Sequence, residues 1–231
     1  MSGRAIINQE IEAALKRHFD GPFRFLLAVS GGSDSQVLIK GFSHVAKAQG
    51  HRIWAMGVNH GLRPEADSEL DSAESLCRHE SIPFIRERIT IEKGGNLQAR
   101  AREGRYCALW NKAYEIGANL VTAHHRDDRA ETVLIRMMRA TSAGSLAVLP
   151  EIQYIPVRDT HLALFRPLLK ASKQDILGYA KRWDLTCAED PSNNNEEFLR
   201  VWVRNILIPL LQEKSPDIIN KLNIISDDLM K

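Results

Sequence analysis

Between Ala28 and Ser35 the chain reads Ala-Val-Ser-Gly-Gly-Ser-Asp-Ser, which sets two glycines and three hydroxyls directly after an apolar run. A loop of this composition suits a polyphosphate. Glycines let the main chain approach an anion, the first N–H groups of a following helix point at it, the helix dipole favours negative charge, and serine hydroxyls add donors. Ser30, Gly31, Gly32, Ser33, Asp34 and Ser35 are therefore candidate polyphosphate-binding residues. Asp34 stands against that logic, because a carboxylate repels phosphates unless a cation lies between them, so it is expected to help hold Mg2+. The same Ser33 or Asp34 could also simply cap a helix after a Gly-Gly turn. Neither the Gly-Lys-Ser/Thr ending of a Walker loop nor a GxGxxG dinucleotide fingerprint is present.

A second block, Thr122 to Thr132, reads Thr-Ala-His-His-Arg-Asp-Asp-Arg-Ala-Glu-Thr. A helix beginning near Asp127 puts Asp128 and Glu131 on one face, and a carboxylate pair of this kind can receive an ammonium group or accept its proton. Acids at a helix start also complement its dipole, and Asp127 or Asp128 is a further candidate to approach the cation. His124 and His125 have no cysteine nearby and are not read as zinc ligands. Arg100, Arg102 and Arg105 spread over more than one face of a single helical segment, whereas Arg200 and Arg204, four apart, share a face. From Arg86 to Arg139 there are 11 Lys and Arg against 7 Asp and Glu, a local excess that points to contact with a polyanion or phosphate.

The elements that must position these residues alternate between short apolar runs and longer amphipathic segments. Strands are expected at Phe23 to Val29, Ile53 to Val58, Pro83 to Ile89 and Leu120 to Ala123, with a strand pair at Ile152 to Val157 and Leu162 to Phe165. Helices are expected at Gln36 to Gln49, Glu65 to Glu80, Asn96 to Ile116, Asp127 to Ala140, Ser172 to Trp183, Glu196 to Leu211 and Pro216 to Met230. The fold class is therefore α/β, with a parallel sheet covered by helices. The pattern breaks near Pro209 to Pro216, dividing a main domain at 1–212 from a helical extension at 213–231.

Composition narrows the functional classes. The 231 residues carry 31 basic and 29 acidic side chains for a net charge of +2, so any nucleic-acid contact must come from local patches. No apolar run approaches the roughly 20 residues that cross a bilayer, and Met1 to Asp20 has no export signal. Cys77, Cys107 and Cys187 are widely separated, and are expected to be buried or half-buried thiols in a reduced cytoplasm.

The Ser30 to Ser35 loop resembles that of the N-type ATP pyrophosphatases. Further blocks sharpen the likeness: Asn59-His60-Gly61-Leu62-Arg63, Asn96 to Tyr106, the Thr122 to Thr132 block, Arg166-Pro167-Leu168-Leu169, and Glu189-Asp190-Pro191-Ser192-Asn193. Together, in this order, they resemble the catalytic domain of the tRNA(Ile)-lysidine synthetase family, from about Phe25 to Leu211. The resemblance implies a Rossmann-like sheet of five parallel strands with helices on both faces and a small helical C-terminal element. It implies adenylation of C2 of the wobble cytidine in a CAU-anticodon tRNA(Ile), then displacement of AMP by free L-lysine. Asp34, Asp128 and Glu131 would be catalytic, with Asp128 and Glu131 receiving the lysine. Arg100, Arg102, Arg105, Arg200 and Arg204 would contact tRNA or phosphate.

Val201, Trp202, Ile206 and the block Arg139 to Leu146 depart from the family pattern. Many members carry further C-terminal domains, so the chain is expected to be a short form that reads the anticodon arm alone or with the help of a homodimer. The other readings are a tRNA thiolase of the same superfamily and a catalytically degenerate nucleotide- or tRNA-binding protein.

Overall fold

The computed structural model describes residues 3–61, 66–91, 97–139, 141–188 and 199–231. Leu62, Arg63, Asn96 and the block Glu189 to Asn193 lie outside the described residues. The chain begins with α1 (Gly3–His18), then β1 (Arg24–Val29), α2 (Ser33–Ala48), β2 (Arg52–Asn59), α3 (Ala66–His79), β3 (Phe84–Arg88), α4 (Leu97–Ile116) and β4 (Asn119–Val121). It continues through α5 (Arg126–Met137), a 3-10 turn (Ala143–Leu146), β5 (Ile152–Val157), β6 (Thr160–Phe165) and α6 (Lys173–Arg182). The last elements are α7 (Leu199–Trp202), a π-helical turn (Val203–Leu207), α8 (Ile208–Lys214) and α9 (Ile218–Asp228).

The sheet order is β3-β2-β1-β4-β6-β5. Five neighbouring strands are parallel, as expected, and β5 adds a sixth that runs antiparallel to β6. The predicted strand pair is thus part of the main sheet. Its short turn at Arg158 and Asp159 sends the chain straight back, so the two strands must be antiparallel, while β6 reaches β4 by a long crossover and pairs in parallel.

Strand β1 shows how the layers form. Phe25, Leu27 and Val29 point to one face, where they join Ile11, Leu15, Phe42, Cys77 and Tyr179 from α1, α2, α3 and α6. Leu26 and Ala28 point to the other, against Met56, Leu109 and Leu120. The alternation follows from the two-residue side-chain period of a strand, and it requires helices on both sides. Gly117 ends α4 at φ 61°, a left-handed conformation in which a Cβ is strained.

A third apolar cluster joins Ala130, Val133 and Leu134 of α5 to Val203, Ile208 and Leu222, so α9 packs on α5. The helical path from Leu199 does not stop at Pro209 but continues to Lys214. Pro209 follows the π-helical turn and sits in the first turn of α8, where its missing N–H disrupts no regular α-helical bond. Among the described residues, no helix is long and apolar enough to cross a membrane.

The three cysteines are free. Cys77 is buried, and burial pushes its thiol up to about 12, while Cys187 is half-buried. Cys107 corrects the expectation. It is exposed, because α4 turns Ala108 and Leu109 toward the sheet and leaves Cys107 on its outer side.

Candidate active site

The strand order reverses between β1 and β4, and open α/β sheets place ligands in the crevice beyond the strand ends at such a point. Both chemistry-bearing blocks emerge there: Ser30 to Ser35 follows β1, and Thr122 to Asp128 follows β4. The N-terminus of α6 joins them, because the backbone N–H of Lys173 donates to Asp127 Oδ2 at 2.9 Å. Three helix N-termini, those of α2, α5 and α6, therefore converge on one crevice and make it electropositive.

The loop itself is closed from within. Ser30 N–H donates to Ser35 Oγ at 3.0 Å, and the two hydroxyls are also 3.0 Å apart. Gln36 N–H donates to Gly32 O, so the N–H groups of Ser33, Asp34 and Ser35 belong to the first helical turn and have no acceptor inside the helix. Gly31 abuts α3: a Cβ there would lie 2.5 Å from the Glu69 carbonyl oxygen, whereas the nearest atom to a Cβ at Gly32 is Ser30 Oγ at 3.8 Å. Gly31→Ala is accordingly expected to cost about 1–3 kcal/mol, since backbone rather than a pliable side chain must yield. Gly32→Ala should leave stability nearly unchanged. Chemical denaturation of the two variants decides it, and equal losses would remove the steric argument.

Two connected lobes open above the loop. One, of about 280 Å³, has an apolar side of Ala28, Met56, Val58 and Leu109 and a polar side that includes Ser30, Asp34, Asp128, Arg200 and Arg204. The other, of about 400 Å³, is lined by Ser30, Gly32, Ser33, Asp34 and Lys173. Arg105 and Arg204 border both. Lys173 was not singled out in the sequence, yet its Nζ donates to Asp34 Oδ1 at 2.5 Å and Ser33 Oγ at 3.0 Å. The only local signal for it is Ser172, which caps α6 by accepting from Asp175 N–H and so places Lys173 at the first helical position.

The carboxylates divide by environment. Asp34 is about one-third exposed and lines both lobes. Asp128 accepts the His125 N–H through Oδ2 at 3.1 Å, and its Oδ1 lies 3.8 Å from both Arg200 and Arg204. Glu131 is only 1% exposed and lines neither lobe. Arg200 Nε donates to Glu131 Oε2 at 2.8 Å, and Arg204 donates to Oε1 at 2.6 Å and to Oε2 at 3.0 Å. Arg200 also reaches the Asp128 carbonyl and the Thr132 hydroxyl. The expected Asp128 and Glu131 pair is therefore a cluster in which Glu131 sets two guanidinium groups beside Asp128.

The arginines of α4 also separate. Arg105 faces the nucleotide-sized lobes, and burial, with Arg102 nearby, holds its pKa below the ordinary arginine value. Arg102 is exposed and borders a different cavity, while both stack on Tyr106, with guanidinium carbons 5.0 Å and 5.6 Å from the ring centre. Arg100 borders none of these spaces; its Nε and Nη2 are sealed and have no hydrogen-bond partner among the described residues.

Two histidines sit in opposite fields. For His125, burial lowers the pKa, but Asp127, Asp128 and Asp34 outweigh it, and the net shift is upward. For His124, burial and the charges of Arg166, Arg102, Arg200 and Arg105 all act downward.

A loop of glycines and hydroxyls at a helix N-terminus, at the switch point of the sheet, is the arrangement of nucleotide-binding α/β proteins, and the family model described as "PP-loop domain" matches residues 4–211. The chain belongs to the PP-loop family. Within it, the chain is similar to the tRNA(Ile)-lysidine synthase of Haemophilus ducreyi, 37% identical over 204 residues that cover 87% of this chain and 45% of that protein. It is similar also to the enzyme of the same name from Coxiella burnetii, 32% identical over 84% of this chain and 42% of that protein. The chain thus spans less than half the length of these curated relatives. Among solved structures, the U34-tRNA thiolase NcsA of Methanococcus maripaludis, which carries a 4Fe-4S cluster, shares the fold at a TM-score of 0.78 and 17% identity, covering 97% of this chain and 78% of that one.

Proposed function

We propose that this chain carries the catalytic domain of a tRNA(Ile)-lysidine synthetase, acting on a CAU-anticodon tRNA in the cytoplasm. The observation that carries the reading is the two-lobed crevice, where one apolar lobe and one lobe of hydroxyls, glycine and lysine meet at Asp34. A nucleoside triphosphate has the same division. Adenine would lie against Ala28, Met56 and Leu109, and the phosphates over Ser30, Gly32, Ser33 and Lys173.

Mg2+ fits this donor set as a partner of the phosphates. Among the described residues no cluster of three His, Cys, Asp or Glu could hold a metal unaided, while Asp34 offers one accessible carboxylate beside the phosphate lobe. When bound, the ion would neutralise charge on the phosphates. Lys173 would then exchange its contact with Asp34 for a phosphate oxygen, and Arg105 and Arg204 would stabilise charge as pyrophosphate leaves.

The attacking amine belongs to free L-lysine, whose ammonium meets Asp128, the member of the Asp128 and Glu131 pair that borders the lobe. Glu131 acts through Arg200 and Arg204, which it holds in place beside Asp128. Arg102 on α4, which is exposed, remains a candidate for the tRNA backbone.

Labelled lysine supplied with ATP, Mg2+ and the CAU-bearing tRNA should enter the tRNA, with one AMP and one pyrophosphate formed per lysine. Sulfur incorporation would favour the thiolase, and ATP binding without products a binding protein. Against the thiolase, among the described residues no pair of cysteines meets at the crevice: Cys187 lies near it, within the fields of Asp34 and Lys173, and Cys77 and Cys107 line neither lobe.

A further inference from the structure

We infer that Nε2 of His124 is the proton acceptor during amine transfer, a step that rests on the lysidine reading above. His124 stands in a wall between two spaces: the apolar lobe and a separate cavity of about 700 Å³ bordered by Arg102, Arg136, Gln153 and the turn from Ser145 to Pro150. Among the described residues only His124 and Arg200 border both. An acceptor entering from one side and a nucleotide held on the other would meet at this wall.

The ring is held for the task. Its Nδ1 lies 2.8 Å from Thr122 Oγ1, whereas Nε2 has no hydrogen bond among the described residues and is not a sealed atom. The other bases near the crevice are committed. Both oxygens of Glu131 are bound by arginines, Asp128 is held by the His125 N–H between two guanidinium groups, and His125 carries three carboxylates within 3.7 Å, which favour its protonated form. Among the described residues, the charged groups around His124 are Arg102 and Arg105 from α4, Arg166 after β6, Arg200 from α7, Arg204 after it, Asp128 and Arg136 from α5 and Asp34 from α2. With burial, Arg166, Arg102, Arg200 and Arg105 hold its pKa well below the ordinary histidine value, so it is neutral at pH 7.

A weak base suffices at this point in the reaction. The lysine ammonium received at Asp128 loses its first proton to solvent, a loss that Arg200 and Arg204, both 3.8 Å from that carboxylate, favour. The amine lone pair then forms the bond to C2, the bond between C2 and the AMP oxygen breaks, and its electron pair leaves with AMP. Attack leaves a positive, strongly acidic nitrogen, and its proton passes to His124 Nε2. The arginines that keep His124 neutral also stabilise the departing phosphate anion.

The test separates two half-reactions with the full chain: pyrophosphate release with tRNA and no lysine, and single-turnover transfer after lysine is added. His124→Gln is expected to slow transfer about 10²–10³-fold beyond any change in adenylation, and to abolish the acid limb of the transfer pH profile. Imidazole should restore part of the transfer rate to His124→Ala. Thr122→Val, which keeps the histidine but frees its ring, should slow transfer more mildly and shift the acid limb. Variants that lose both half-reactions equally with an unchanged pH profile, or that lose neither, overturn the assignment. A wild-type chain that adenylates but never transfers lysine overturns the lysidine reading itself, and this proposal with it.

Discussion

Replacing Arg200 and Arg204 together with alanine is expected to lower the stability of the fold by about 3–5 kcal/mol, the cost of leaving one member of a buried ion cluster without a counter-charge. Glu131 is 1% exposed, and its two oxygens accept three guanidinium hydrogen bonds of 2.6 to 3.0 Å. Either single variant should cost much less, since the remaining arginine still faces the carboxylate. Glu131→Gln in the double-variant background should recover part of the loss by removing the stranded charge. Urea denaturation of these variants beside the unaltered chain provides the cycle. A loss below about 1 kcal/mol for the double variant, or no recovery on adding Glu131→Gln, would show that the cluster is not a structural unit. The same arginine substitutions should abolish transfer, because the pair also borders Asp128.

The second large effect falls on activity and spares the fold. Lys173→Met should reduce pyrophosphate release about 10²–10³-fold, the usual consequence of removing one donor aimed at developing negative charge. Its side chain is more than one-third exposed, and its structural contacts, to Asp34 and Ser33, are at the open floor of the crevice. The melting temperature should therefore change little. Lys173→Arg should retain more activity than Lys173→Met, and an unaltered rate in Lys173→Met would exclude Lys173 from phosphate handling.

These two expectations rest on residues that the sequence exposed unequally. The Ser30 to Ser35 loop was legible because its features are local: glycines, hydroxyls and a helix start are consecutive in the chain, which is what an anion site built from neighbouring N–H groups needs. The five parallel strands were legible for the same reason, since apolar runs and helical periodicity are short-range patterns. Asp128 and Glu131 were recognisable as a pair from their spacing, but spacing could not reveal that one would border the crevice and the other would be sealed behind two arginines. Lys173 carried no signal beyond the cap that precedes it. Its partner Asp34 is 139 residues away, and only the pairing of β6 with β4 carries α6 to the phosphate loop.

By itself, then, the sequence determined the phosphate loop, the alternation of strands and helices, and the set of charged residues available to the site. Tertiary structure decided their surroundings: Glu131 beneath Arg200 and Arg204, Lys173 over Asp34, and His124 among arginines that push its pKa down. The reason is physical. Backbone propensity and periodicity act over a few residues, whereas burial and the field at a side chain are sums over everything the sheet order brings near it.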